Sequence, residues 1–165
     1  MGSGKSTVGK RLAQLLQIPF FDLDTMIENR QGQSIEAIFK HEGEPSFRQY
    51  EQQSLREWIE NGTNSIIACG GGTPCFFNNM ELLTQHSTSI YLHASINELF
   101  NNLQAQKTQR PLLKNKSAEE LPEYIETTLS QRELFYRQAK IIVNTDGKTT
   151  GEIAGTILSQ LRLNF

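Results

Sequence analysis

The chain has 165 residues, 37% of them hydrophobic, which suits one compact domain spanning 1–165 with a single sizeable core. Its 16 basic and 18 acidic residues give a formal net charge of -2, which excludes nucleic-acid or acidic-membrane binding by bulk charge. Two cysteines support neither a disulfide framework nor a zinc site, no apolar run nears the ~20 residues that span a bilayer, and no signal-peptide core opens the chain. A cytoplasmic protein with reduced thiols is expected.

The chain opens on G-S-G-K-S-T, Gly2 to Thr7. Glycines let consecutive backbone N–H groups curl around phosphate oxygens, and the dipole of a following helix adds positive potential at the same place. Gly2, Ser3, Gly4, Lys5, Ser6 and Thr7 therefore form a candidate nucleotide cradle. Lys5 would reach the β- and γ-phosphates and Ser6 would offer its hydroxyl to Mg²⁺. No buried strand precedes the loop, as a phosphate loop ordinarily requires. The expectation is that the first strand is missing from this chain, with Met1 either an internal methionine or a truncation point.

Val8, Leu12, Leu15 and Leu16 recur at helical spacing, so the loop feeds a helix. Ile18 to Phe21 then reads as a buried strand, with Asp22 at its end. In an extended backbone Asp22 and Asp24 would face the same side, one serving the metal and the other the substrate. Residues 24–48 form a mostly helical insert too long for a simple crossover, followed by a helix over 49–60. Ser65 to Cys69 reads as the next strand and runs into Gly70, Gly71 and Gly72. Three glycines at the carboxyl edge of a parallel sheet expose N–H groups where ligands of α/β proteins bind.

Helices are predicted over 75–85, 95–106, 117–138 and 149–163, and strands over 88–92 and 139–144. Ser95 with Glu98, Ser117 with Glu120, and Thr149 with Glu152 have the spacing of capping boxes. Lys107 to Lys116, with Pro111 breaking any helix at Arg110, has the composition of a lid. Strands alternating with helices give an α/β fold with a parallel sheet. Arg48, Arg110 and Arg132 carry guanidiniums suited to carboxylate or phosphate. His41, His86 and His93 show no metal-ligand spacing.

Taken in order, these motifs resemble the shikimate kinases: the loop at Gly2 to Thr7, D-L-D at Asp22 to Asp24, and the run from Ile38 and Phe39 through Gly43, Glu44, Phe47 and Arg48 to Glu51. Gly70 to Gly72, Arg110-Pro111-Leu112-Leu113, and Arg132 with Tyr136 complete the series. The resemblance implies a three-layer P-loop kinase fold with a parallel sheet of order 2-3-1-4-5, a substrate-binding insert over about 25–54 and a lid over about 107–117. The activity implied is ATP-dependent phosphorylation of the 3-hydroxyl of shikimate, giving shikimate 3-phosphate on the route to aromatic amino acids, by a monomer.

Carried over by position, Asp24 would bind the shikimate hydroxyls and take the proton. Arg48 and Arg132 would hold the carboxylate, Gly71 would lend a backbone contact, Arg110 would reach the phosphates, and Asp22 would hold Mg²⁺ through water. Asn102 and Leu103 stand where the family pattern implies an adenine-covering arginine, so the adenine contact has no assigned residue. Two other readings fit the same loop: a gluconate-type or other small-molecule kinase, and a nucleotide-binding module without catalysis.

Overall fold

The computed structural model describes residues 2–105 and 120–163. The phosphate loop runs into helix α1 (Lys5–Leu16) through Gly4, whose φ of 76° and ψ of 20° lie in the left-handed region that a β-carbon would strain. Val8, Gly9, Leu12 and Ala13 form the buried stripe of α1, while Lys10 and Arg11 face outward.

Four strands follow in parallel pairs. Strand β1 (Phe20–Asp22) pairs with β2 (Ile66–Ala68), and β3 (Ile90–His93) pairs with β4 (Ile141–Asn144). The registers are Phe20 opposite Ile66 and Ile90 opposite Ile141. β1 starts two residues later than its apolar run predicts, because Pro19 has no N–H to donate to a ladder. Its carbonyl still accepts the Ile66 N–H at 2.9 Å.

Among the described residues the two pairs form separate sheets, in keeping with the expectation of a parallel sheet whose first, central strand is missing. A cavity of about 900 Å³ lies where they face each other, lined by Ile66 and Ala68 of β2, Ile90 and Leu92 of β3, and Val8 and Leu12 of α1. Helix α1 bridges it. Val8 and Leu12 share a core cluster with Leu92, Ile141 and Val143, and with Ile153 and Ile157 of α8 (Thr150–Leu163).

The insert is three helices, α2 (Leu23–Gln31), α3 (Ile35–His41) and α4 (Gly43–Glu60). Leu23, Ile27, Ile38 and Phe47 close their own core. α4 begins six residues before the predicted helix over 49–60, so Phe47 and Arg48 lie on the helix and not in a connecting segment. The single helix predicted over 75–85 is instead a 3-10 turn at Thr73–Cys75 and a helix α5 (Asn79–His86). Pro74 fits the first positions of the short turn, and Phe77, with φ of 52°, breaks continuity before α5.

Helices α6 (Ile96–Ala105) and α7 (Glu120–Tyr136) pack through Leu99, Leu103, Leu121 and Ile125. The Ser95 hydroxyl accepts the Glu98 N–H at 3.2 Å. Thr149 and Glu152 form the full reciprocal box, the Glu152 carboxylate taking the Thr149 N–H at 2.8 Å and the Thr149 hydroxyl taking the Glu152 N–H at 3.3 Å. Ser117, the predicted lid and Arg110 lie outside the described residues. No described helix is long and apolar enough to cross a membrane.

Candidate active site

The carboxyl ends of β1 and β2 and the amino end of α1 converge on one edge of the first sheet. Asp22 ends β1 and caps α2. One oxygen, Oδ1, accepts the Asp24 N–H at 3.2 Å, and the other, Oδ2, accepts the Ser6 hydroxyl at 2.8 Å. This corrects the idea of two carboxylates on one extended face. The chain turns helical at Leu23, so Asp22 faces the phosphate loop while Asp24 occupies the first turn of α2.

Asp24 is half-buried and packed among charges. Burial pushes its carboxyl up from 3.8 to about 6, the carboxylates of Asp22 and Glu51 push the same way, and the Lys5 ammonium opposes them. Its Oδ1 lies near Gly70, where an added β-carbon would stand 3.4 Å from it and 3.0 Å from Glu51 Oε1.

Arg48 is buried on the inner face of α4. Its Nη1 donates to Glu51 Oε2 at 2.5 Å, while Nε and Nη2 both donate to Glu44 Oε1 at 3.0 and 2.8 Å. The guanidinium stacks over Phe76, 4.2 Å from the ring centre, and over Phe47 at 5.0 Å. Burial works against its charge, but the hydrogen bonds and charges of Glu51 and Glu44 outweigh that and hold it firmly protonated. A β-carbon at Gly72 would lie 2.6, 2.7 and 2.8 Å from Arg48 Nη1, Nη2 and Cζ, so only glycine lets the loop pass so close.

Glu51 is 1% exposed and also accepts the Thr73 hydroxyl at 2.5 Å; Thr73 in turn gives its carbonyl to the Asn79 amide at 2.9 Å. This chain of buried polar groups fixes Arg48 to the turn that follows the glycines.

Arg132, on α7, hydrogen-bonds Tyr136 and acts on Cys75, both of which adjoin the same loop. Burial pushes up the Cys75 thiol, and the guanidiniums of Arg132 and Arg48 both pull it back, so both charges act on the turn that follows the glycines. One turn on, the Tyr136 hydroxyl donates to the Gly71 carbonyl at 2.5 Å while also engaging Arg132, and its ring lies 5.1 Å from that of Tyr91 on β3. On the phosphate loop, the Asn102 amide donates to the Gly2 carbonyl at 3.0 Å.

Of the residues singled out from sequence, Lys5, Ser6, Asp22, Asp24, Arg48, Gly71 and Arg132 are thus brought around the two loops, one phosphate-type and one glycine-rich. Sequence reasoning assigned no role to Glu51, Thr73 or Cys75, nor to the hydroxyl of Tyr136. Glu51 carried a usable signal: three residues after Arg48 on one helix, it shares a face with it.

The Mg²⁺ expectation can be tested against the donors present. A serine hydroxyl and a carboxylate oxygen 2.8 Å apart, beside a phosphate cradle, are hard oxygen donors of the kind that cation takes. No group of three or more metal-binding side chains occurs among the described residues, so such a cation would take its remaining ligands from phosphate and water.

A family model described as shikimate kinase matches residues 1–162. A shikimate kinase of Azobacteroides pseudotrichonymphae is 44% identical over 161 residues, covering 98% of this chain and 95% of the relative. One from Flavobacterium johnsoniae is 43% identical over 162 residues, covering 98% and 94%. Among solved structures, the shikimate kinase of Bacteroides thetaiotaomicron superposes with a TM-score of 0.92 at 36% identity, covering 98% of this chain and 94% of that one. The Acinetobacter baumannii shikimate kinase in complex with shikimate gives 0.89 at 32%, covering 99% and 89%.

Proposed function

This chain belongs to the shikimate kinase family, and from that premise we propose that it transfers the γ-phosphoryl group of ATP to the 3-hydroxyl of shikimate, feeding aromatic amino acid biosynthesis. The observation that carries the reading is Asp24 beside Gly70, under the charge of Lys5, and Arg48 against Gly72, with Arg132 acting on the following turn. A ring acid bearing hydroxyls opposite its carboxylate matches that polarity. A guanidinium pair takes the anion, and a carboxylate takes the hydroxyl.

In this reading Arg48 and Arg132 hold the shikimate carboxylate and Gly71 contributes backbone. The ring is thereby oriented with its 3-hydroxyl at Asp24. Asp24, ionised above about pH 6, accepts the hydroxyl proton as the oxygen attacks the γ-phosphorus. Lys5 and the N–H groups of Gly2 to Thr7 hold the phosphates and offset charge that builds on the transferred group. Ser6 and Asp22 are the residues that would hold Mg²⁺, which when bound supplies positive charge to the β- and γ-oxygens. Helices α2 to α4 act as the substrate-binding insert. The protein is taken as a cytoplasmic monomer acting on two small molecules, with neither nucleic acid nor membrane as partner.

A coupled assay with ATP and Mg²⁺ against shikimate, gluconate and nucleoside monophosphates tests the reading. Turnover with shikimate alone is expected. Turnover with gluconate in its place, or ATP binding with no turnover at all, would overturn it.

A further inference from the structure

Arg48 is held by two carboxylates that differ in kind. Glu51 is buried, accepts from Thr73 as well, and takes only the Nη1 end of the guanidinium. Glu44 has a side chain 51% exposed and hydrogen-bonds nothing else that would hold it. It lies across the Nε and Nη2 edge, the side-on fork through which an arginine takes a carboxylate with two parallel bonds. Glu44 fills that edge with a single oxygen, Oε1, at 3.0 and 2.8 Å.

Charge sharpens the point. Arg48 at +1 with Glu44 and Glu51 at -1 each leaves a group of net -1. An arriving carboxylate would meet repulsion there, and it would find the fork already taken. Releasing Glu44 brings the remaining pair to zero and frees the fork. Glu44 sits in the first turn of α4, so after release its carboxylate still faces favourable N–H groups and helix dipole. The Glu44 end of the pair is exposed and regains water on release, and the incoming carboxylate takes its place on the buried Arg48 end.

We propose that Glu44 is an internal stand-in for the substrate's carboxylate, occupying the Arg48 fork until substrate displaces it, and that it thereby selects anionic over neutral ligands. This rests on the reading above that Arg48 takes the shikimate carboxylate. A neutral polyol cannot replace the Glu44 charge on the fork and gains no access to Arg48. The opposing account, that Glu44 simply holds Arg48 in place, predicts the opposite sign on its removal.

The test measures KM and kcat, with Kd by calorimetry, for the intact chain and for Glu44→Gln and Glu44→Asp. Gln keeps the shape without the charge; Asp keeps the charge but is one methylene too short to reach the fork. Both should lower KM and Kd for shikimate by about three- to fivefold, the scale of one i,i+4 helix ion pair. Neither should improve binding of the analogue in which a hydroxymethyl group replaces the carboxylate. Unchanged or weaker shikimate binding in both variants would overturn the proposal. The underlying reading fails separately: if the unaltered protein binds shikimate and the neutral analogue equally, Arg48 does not read the carboxylate at all.

Discussion

Replacing Asp24 with asparagine should make the protein more stable and nearly inactive. Raising a carboxyl from 3.8 to about 6 corresponds to ~3 kcal/mol in favour of the neutral form, stored in the fold at pH values where the group is charged. The sign follows from the direction of the shift. Below 3.8 the carboxyl is protonated whether folded or not and costs nothing; the penalty grows between 3.8 and about 6 and is complete above it. Asp24→Asn removes the charge, so at pH 7.5 it should raise Tm by up to roughly 6–12 °C, at the ~2–4 °C per kcal/mol expected for this size. By pH 4 the variant and the unaltered protein should melt together.

Activity should move the other way, with turnover down by about 10²-fold or more and ATP binding nearly unchanged. In the unaltered protein, kcat/KM for shikimate at saturating MgATP should fall roughly tenfold between pH 7.5 and pH 5, as Asp24 takes up its proton. Thermal melts at several pH values and a pH–rate profile decide the matter. A variant no more stable at pH 7.5, or a rate flat down to pH 5, would show that Asp24 is neither the strained carboxylate nor the base.

Arg48→Ala should chiefly raise KM for shikimate, because a carboxylate anchor remote from the transferred group binds ground and transition states alike; an effect confined to ATP affinity would contradict that role. Gly72→Ala would set a methyl 2.6 Å from Arg48 Nη1, so it should raise KM in the same way, with the Kd for ATP as the internal comparison. Tyr136→Phe removes the hydroxyl that ties Arg132 to the Gly71 carbonyl, and should weaken shikimate binding by about three- to tenfold with little change in melting temperature. The cavity is lined by β2 and β3, each of which has one described ladder partner. An extended Val- and Ile-rich segment of about five residues fused ahead of Met1 should therefore raise Tm and sharpen the melt; an unchanged melt would mean that the cavity does not accept a strand.

The sequence by itself determined most of the chemistry of this protein. Gly4 before Lys5 and Ser6 marks a phosphate-binding turn, and the helical spacing of Val8 and Leu12 places a dipole behind it. The Thr149–Glu152 and Ser95–Glu98 caps were legible for the same reason, since partners three residues apart meet whatever the rest of the chain does. The end of β2 was less legible, because the ladder stops at the Asp22–Ala68 pair and depends on the partner strand and not on local propensity.

Tertiary structure alone decided the charges and the company each side chain keeps. Asp22 and Asp24 looked equivalent as a pair, yet one caps a helix and meets Ser6 while the other sinks among Glu51, Gly70 and Lys5. Arg48 was visible as a candidate, and Glu44 lies one helical turn before it, but Gly72 against its face and Phe76 under its guanidinium come from a loop remote in sequence. Hydrogen bonds within a turn are fixed by spacing along the chain. Desolvation and charge coupling depend on what packs from elsewhere, and these set the Asp24 proton affinity and the burial of Arg48.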